Sequence, residues 1–251
     1  MSDGPTPARL APFPARRAPH PMDGQPQMFD PHEGTDPERI SLPGADVVLH
    51  RFAFTAAEAE RCFHEVLHTT AWRHDEVVLY GKLTPIPRLQ AWYGEPGCTY
   101  TYSNLRLDPL PFTPALSALR ARCIALAGAT LNCALVNHYR DGRDSVALHA
   151  DDEPELGPEP VIASVSLGAV RRMQFRHQTD PDLRHDLDLP SGSVLVMRGT
   201  TQRFWRHAIP KTTRPVGPRL NLTFRHIAPH PIPEPPPHPE PPPPSRTGHT
   251  F

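Results

Sequence analysis

Residues 219–225 read Arg-Leu-Asn-Leu-Thr-Phe-Arg, and polar and apolar side chains alternate along the whole stretch. Successive side chains of a β-strand point to opposite faces of a sheet, so this alternation predicts a strand with one apolar and one polar face. The apolar face, with Leu220, Leu222 and Phe224, would pack into a core. The polar face carries a cation at each end, at Arg219 and Arg225.

The same period of two runs through the preceding part of the chain. It appears in residues 131–139, 161–167, 173–175 and 193–197. Turn signals rich in Gly, Pro and Asp separate these segments. Many short strands with such spacing predict a double-sheet β-sandwich or jelly roll, that is, a double-stranded β-helix.

Two helices are predicted before the strands become frequent. Thr55-Ala-Ala-Glu58 has the form of a capping box, and the helix that follows would bury Ala59, Cys62, Phe63, Val66 and Leu67. Thr113-Pro114 opens a second helix, because proline suits the first helical position. We expect both helices to buttress the sheet, which makes the fold mainly β with added helices (α+β).

The prolines set the domain boundaries. The chain has 251 residues and 35 prolines, which crowd towards both ends. Residues 1–40 lack an apolar period, and residues 229–251 are proline-rich, so both are predicted to be disordered tails. Residues 41–228 would form one domain. For the C-terminal tail we expect a solvated spacer, with a proline-recognising partner as the alternative.

Composition narrows the function classes. The formal net charge of −1 does not indicate a general nucleic-acid binder, so any such binding needs a local basic patch. Four cysteines without Cys-x-x-Cys spacing, and no apolar signal segment, predict an intracellular, cytoplasmic protein, or a nuclear one in a eukaryote. No apolar run is long enough to span a membrane. A monomer is expected.

One short pattern indicates a metal site. His149 and Asp151 are one residue apart, so on an extended segment both side chains point the same way. With a distant histidine, for which His207 is the candidate, they would form a two-histidine, one-carboxylate face that leaves positions open on iron(II). Most His-x-Asp pairs are ordinary surface polar residues, so the pair needs support from the rest of the chain.

The two arginines of residues 219–225 could supply that support. Two cations on one face suit a dicarboxylate ligand, since guanidinium groups bind carboxylates in a bidentate manner. Taken alone, the strand favours a simpler interpretation in which both arginines are solvated.

Together these motifs resemble the AlkB family of iron(II), 2-oxoglutarate-dependent nucleic-acid dealkylating dioxygenases. The resemblance covers about residues 75–227. It rests on Asn137-His-Tyr139, His149-Ala-Asp151-Asp-Glu153, Ile162-Ala-Ser-Val-Ser-Leu-Gly168, Phe175-Arg-His177, His207 and Arg219-Leu-Asn-Leu-Thr-Phe-Arg225. Similarity to the members that act on double-stranded DNA lies in Tyr80-Gly81-Lys82, Pro87-Arg88-Leu-Gln90 and Thr99-Tyr-Thr-Tyr-Ser103.

The resemblance implies a role for each matched residue. The metal ligands would be His149, Asp151 and His207. The contacts to 2-oxoglutarate would be Asn137, Tyr139, Arg219, Asn221 and Arg225, and the sequence leaves open which arginine takes which carboxylate. Tyr102 would stack on a flipped base in a pocket lined by Gln90, Tyr100, Ser103, Asp152 and Glu153. Tyr80 would wedge into the duplex, although the family pattern has phenylalanine there.

The implied activity is DNA repair, in which N-alkyl groups such as those of 1-methyladenine and 3-methylcytosine are oxidised with 2-oxoglutarate and O₂. Formaldehyde, succinate and CO₂ would be released. Phosphate contacts are expected from local clusters that include Arg88, Arg171 and Arg172. Two alternatives remain: an oxygenase of the same fold that acts on RNA, lipid or protein, and a non-catalytic binding module.

Overall fold

The structure is a computed structural model that describes residues 36–79, 81–102 and 105–228, without the side chains of residues 79, 100–102, 105 and 106. In chain order the strands are β1 (Glu38–Ile40), β2 (Asp46–His50), β3 (Glu76–Leu79), β4 (Lys82–Pro85), β5 (Leu89–Gly94), β6 (Tyr100–Tyr102), β7 (Leu105–Leu107), β8 (Cys133–Tyr139), β9 (Val146–His149), β10 (Ile162–Gly168), β11 (Arg171–His177), β12 (Arg184–Leu189), β13 (Ser193–Arg198), β14 (Trp205–Ile209) and β15 (Arg219–Arg225). The helices are α1 (Ala56–Thr69), α2 (Pro114–Ala127) and α3 (Thr201–Phe204), and Pro154–Leu156 forms a 3₁₀ turn.

Two antiparallel sheets make up the framework. The larger sheet has seven strands in the order β1-β2-β13-β10-β15-β8-β5, and the smaller has four in the order β12-β11-β14-β9. Side chains of both sheets share one core, with Leu195 and Ile162 from the larger sheet and Phe175 and Leu187 from the smaller. This is the predicted jelly roll.

The central position of β15 explains its composition. It pairs with β10 on one side and with β8 on the other, so its backbone is hydrogen-bonded along both edges. Leu220, Leu222 and Phe224 are fully buried on one face. The polar face lies opposite the smaller sheet, and this places the strand's arginines in the interior.

The two longer helices form as predicted. The Thr55 hydroxyl accepts a hydrogen bond from the Glu58 amide at 3.1 Å, and the Glu58 carboxylate accepts one from the Thr55 amide at 2.7 Å. Helix α2 starts at Pro114 and ends at Gly128, whose φ of +64° is the left-handed conformation that glycine adopts readily. Both helices pack on β10. Of the predicted apolar face of α1, Phe63 and Leu67 are only half-buried.

Several elements differ from the sequence prediction. Strand β1 begins at Glu38, inside the segment predicted as the N-terminal tail, because it pairs with β2. Strand β5, which forms an edge of the larger sheet, and strands β12 and β14 were not predicted. The remaining tail segments, residues 1–35 and 229–251, lie outside the described residues. Among the described helices, none is both long and apolar enough to cross a membrane.

The four cysteines are buried and unpaired. Burial raises the pKa of the Cys62 thiol to about 11 and that of Cys133 to about 12. Burial also raises the pKa of Cys98 and Cys123. At neutral pH these groups therefore remain thiols.

Candidate active site

Three potential metal ligands converge between the two sheets. His149 ends β9, and its register partner on β14 is His207. Asp151 follows two residues after His149 and is 2% exposed. One ligand atom from each residue lies within 4.8 Å of the others. The Asp151 carboxylate is 3.8 Å from His149 Nε2 and 4.0 Å from His207 Nε2, so the three groups can share one ion.

The hydrogen bonds around the triad prepare it for a cation. His149 Nδ1 lies 2.9 Å from the Ala147 carbonyl, which can only accept, so Nδ1 carries the proton and Nε2 keeps its lone pair. Burial and the neighbouring His149 lower the pKa of His207 to about 3. Burial alone would raise the pKa of Asp151, but Arg225, His207 and His149 outweigh it and hold that pKa at about 2. The set therefore offers two imidazole nitrogens and one carboxylate.

Two residues hold Asp151 in place. The Arg225 guanidinium donates to Asp151 Oδ1 at 2.7 Å, and both side chains are almost fully buried. The Asp151 amide donates to the side-chain oxygen of Gln202 at 3.0 Å. Gln202 lies on α3, and sequence reasoning missed it because a single glutamine in a four-residue helix has no periodic signal.

Arg219 lies at the opposite end of β15 and is 0% exposed. Its Nη2 donates to the Ser166 hydroxyl at 2.9 Å, and its guanidinium carbon is 5.2 Å from the centre of the Tyr139 ring. Within the described residues, Nε and Nη1 are buried without a hydrogen-bond partner. The interpretation that both arginines are solvated is therefore wrong, because β15 turns its polar face inward.

Amide side chains line the space between the arginines. Asn221 donates to the Ser164 hydroxyl at 2.8 Å and to the Val165 carbonyl at 3.0 Å. Asn137, directly opposite Asn221 on β8, accepts a 2.7 Å hydrogen bond from Arg88. The cavity they enclose with the triad has a volume of about 40 Å³. That is room for a few waters, so a bound oxoacid has to widen it.

The predicted phosphate contacts are placed differently from expectation. Arg171 is buried, and its guanidinium donates to the carbonyls of Asp141, Asp144 and Pro210, so it joins two loops. Arg88 is also buried, at the wall of the metal cavity. Arg172 is at the surface, where it pairs with Asp188 at 2.8 Å.

The predicted base pocket is described only in part. Asp152 is exposed and Glu153 is half-buried directly after the metal ligand Asp151. Gln90 is buried, and its amide nitrogen donates to Asp75 at 3.0 Å. Tyr80, Ser103 and the side chains of Tyr100 and Tyr102 lie outside the described residues. The hairpin β3–β4, whose strands precede and follow Tyr80 in the sequence, exposes the paired side chains of Val78 and Leu83.

Comparison with known proteins agrees with this geometry. The 2OG-Fe(II) oxygenase superfamily matches residues 45–225. DNA oxidative demethylase ALKBH2 of Mus musculus is 41% identical over 186 residues, which cover 70% of this chain and 78% of that protein. The Homo sapiens ALKBH2 is 40% identical over 184 residues, with 69% and 70% covered.

This chain belongs to the AlkB family. Another relative is the alpha-ketoglutarate-dependent dioxygenase alkB homolog 3 of Mus musculus, 36% identical over 217 residues, with 82% of this chain and 75% of that protein covered. Among solved structures, OsALKBH1 matches with a TM-score of 0.51 and 18% identity over 76% of this chain and all of that one. An oxidoreductase of the 2OG-Fe(II) oxygenase family from Burkholderia pseudomallei matches with a TM-score of 0.50 and 14% identity, covering 74% and 87%. These two likenesses show the fold.

As an AlkB family member the protein is an iron(II)- and 2-oxoglutarate-dependent dioxygenase, and its residues fit both groups. The triad supplies the nitrogen and oxygen donors that non-haem iron(II) takes. The unpartnered N–H groups of Arg219 are the donors that a buried carboxylate needs.

Proposed function

We propose that this chain is a DNA repair dioxygenase that removes N-alkyl groups from bases. The observation that carries the proposal is the pairing of a buried His149–Asp151–His207 triad with two arginines buried in the same interior. The relatives named as DNA oxidative demethylases supply the substrate class.

Each of the two arginines would bind one carboxylate of 2-oxoglutarate. Arg225 touches the metal ligand Asp151, so it is placed to hold the carboxylate beside the 2-oxo group. Arg219, six residues along β15 and bounded by Ser166 and Tyr139, is placed to hold the distal carboxylate. Asn137 and Asn221 lie between them on adjacent strands. Arg88 takes the Asn137 carbonyl oxygen, which leaves the Asn137 amide nitrogen to donate into the cavity.

Iron(II) with 2-oxoglutarate and O₂ supplies the oxidation of an N-methyl group to a hydroxymethyl group, which then leaves as formaldehyde. The chain's own residues prepare for this step. Arg225 keeps Asp151 anionic, and the Ala147 carbonyl keeps His149 in the metal-binding tautomer.

The lesion is proposed to enter as a flipped base. Methylation at the pairing edge removes base pairing, which lowers the cost of flipping. It also makes 1-methyladenine and 3-methylcytosine cationic. Tyr102 would stack on such a base, and the acidic residues Asp152 and Glu153 beside the triad would favour the positive ring. We further propose a monomer that works in the compartment that holds DNA.

The experiment is an assay of the full chain with iron(II), 2-oxoglutarate and oligonucleotides that contain one methylated base, followed by mass spectrometry. We expect loss of the methyl group and release of formaldehyde and succinate, in single- or double-stranded DNA. Asp151→Ala is the control and should abolish both. Turnover of methylated RNA but not of methylated DNA would show that the substrate is RNA. No turnover of any methylated nucleic acid, by protein that still consumes 2-oxoglutarate, would overturn the proposal.

A further inference from the structure

A second cavity lies along the outer edge of β5, outside the metal cavity. It has a volume of about 170 Å³ and shares no lining residue with the cavity around the triad. On one side the backbone of Arg73 pairs with Gln90, and on the other Leu110 pairs with Trp92, so two loops frame a gap along the strand edge. Its lining includes Arg73, Asp75, Gln90, Trp92, Leu107 and Leu110.

The chemistry of this cavity is set by Gln90, which is 1% exposed. Its amide nitrogen donates to Asp75 Oδ2 at 3.0 Å, and a carboxylate accepts only, so the amide orientation is determined. Asp75 Oδ1 is taken by Arg73 at 2.8 Å. The Gln90 side-chain oxygen is left buried, with no hydrogen-bond partner among the described residues. A buried acceptor of this kind costs free energy until a donor, such as a ligand N–H, hydrogen-bonds to it.

The volume of the cavity and its lining side chains limit the choice of ligand further. A cavity of about 150 Å³ holds a benzene ring, so 170 Å³ suits a single six-membered ring. Trp92, Leu107 and Leu110 offer apolar surface to the faces of such a ring, and the Arg73 guanidinium lies at the rim. A planar ring with an amino group is thus the best match, and among nucleobases this describes cytosine.

The position of the cavity relates it to the substrate. Gln90 is the register partner of Asn137, which lines the metal cavity, and neighbouring strands are about 4.8 Å apart. A nucleotide in this cavity would therefore adjoin the one presented to the metal.

We propose that this cavity binds an unmodified cytosine of the substrate strand next to the lesion, with its amino group donating to Gln90 Oε1. The inference rests on the proposed function, because it takes a nucleic-acid strand as the substrate. Uracil carries a carbonyl where cytosine has that amino group, and an N3–H where cytosine has an acceptor nitrogen. In the position proposed for cytosine, the uracil carbonyl would bring a second acceptor against Gln90 Oε1.

The test compares oligodeoxynucleotides that carry one methylated base flanked by cytosine or by uracil. Fluorescence anisotropy of lesion-free versions gives affinity, and mass spectrometry gives KM for demethylation. We expect about tenfold tighter binding and a correspondingly lower KM with cytosine, the effect of one buried hydrogen bond gained instead of an acceptor clash. Gln90→Leu should remove the difference between the two bases.

A second variant tests the cavity independently, in case Gln90→Leu does not fold. Leu110→Trp fills the cavity from its exposed rim without touching the polar network, and it should also remove the cytosine preference. Val170→Trp, at an exposed position outside the cavity, is the matched control and should keep the preference.

The outcomes separate the two proposals. Turnover with equal KM for cytosine and uracil, or a preference that survives in Gln90→Leu, would overturn the cytosine site and leave the proposed function standing. A cytosine preference in binding without any turnover would support the cytosine site and overturn the proposed function. Binding of neither oligonucleotide would reject both.

Discussion

Replacing Arg219 with methionine should have opposite effects on stability and on cosubstrate binding. Burial, reinforced by Arg171, lowers the pKa of Arg219 to about 10, although Tyr139 opposes the change. Since a tenfold change in acidity corresponds to about 1.4 kcal/mol, keeping the cation in the ligand-free interior costs roughly 3 kcal/mol. An apolar side chain of similar length escapes this cost. The ligand-free variant should therefore unfold at a temperature several degrees higher.

The same variant should bind 2-oxoglutarate poorly. Two buried N–H atoms of Arg219 have no partner among the described residues, and each can give a charge-assisted hydrogen bond worth roughly 1.5–3 kcal/mol. Losing both predicts an affinity lower by a factor of about 10² to 10⁴. Arg219→Lys is the control, since it keeps the charge but cannot offer the same paired donors.

Thermal unfolding monitored by circular dichroism, with manganese(II) and increasing 2-oxoglutarate, measures both effects without turnover. The wild type should gain stability with 2-oxoglutarate, while Arg219→Met should start higher and gain almost nothing. If the variant unfolds at a lower temperature without ligand and still gains as much as the wild type, then Arg219 is a structural cation and the assignment of the distal carboxylate fails.

Three further variants test the remaining contacts. Gln202→Leu should weaken iron(II) affinity by a factor of about 10 to 100 in metal titrations, because the Asp151 amide loses its acceptor; unchanged affinity would refute this. Arg88→Met removes the donor that orients the Asn137 side chain, so it should raise KM for 2-oxoglutarate about tenfold. DNA affinity should stay unchanged, whereas the loss of a phosphate contact would lower it. Arg171→Met should lower the free energy of unfolding by about 3 kcal/mol or more in urea titrations, since three carbonyls lose their donor, and an equal midpoint would contradict that.

Local patterns in the sequence were enough to predict the elements with strong periodicity. Strand β15 alternates polar and apolar side chains over all seven residues, and α1 and α2 carry a cap at Thr55 and at Thr113. Strands β5 and β12 escaped prediction. The sequence Leu-Gln-Ala-Trp-Tyr-Gly of β5 has little alternation, and its place in the sheet depends on pairing with β8 across a long stretch of chain.

The candidate site shows the same division. His149, Asp151 and His207 were predicted from spacing and from resemblance, because each belongs to a motif. Burial of Arg171, at the start of β11, and of Arg88, just before β5, could not be predicted, since an arginine in such a position looks solvated until the facing sheet and loops are in place. The acceptors of Arg171 are backbone carbonyls, which leave no mark on the sequence.

The four cysteines are buried and protonated, and maleimide reagents react with accessible thiolates. The natural chain should therefore not react with maleimides. A single cysteine introduced at the solvent-facing Val78 would thus be the one site that accepts a dye. Placed on the β3–β4 hairpin, that reporter would show in real time whether the hairpin contacts a duplex.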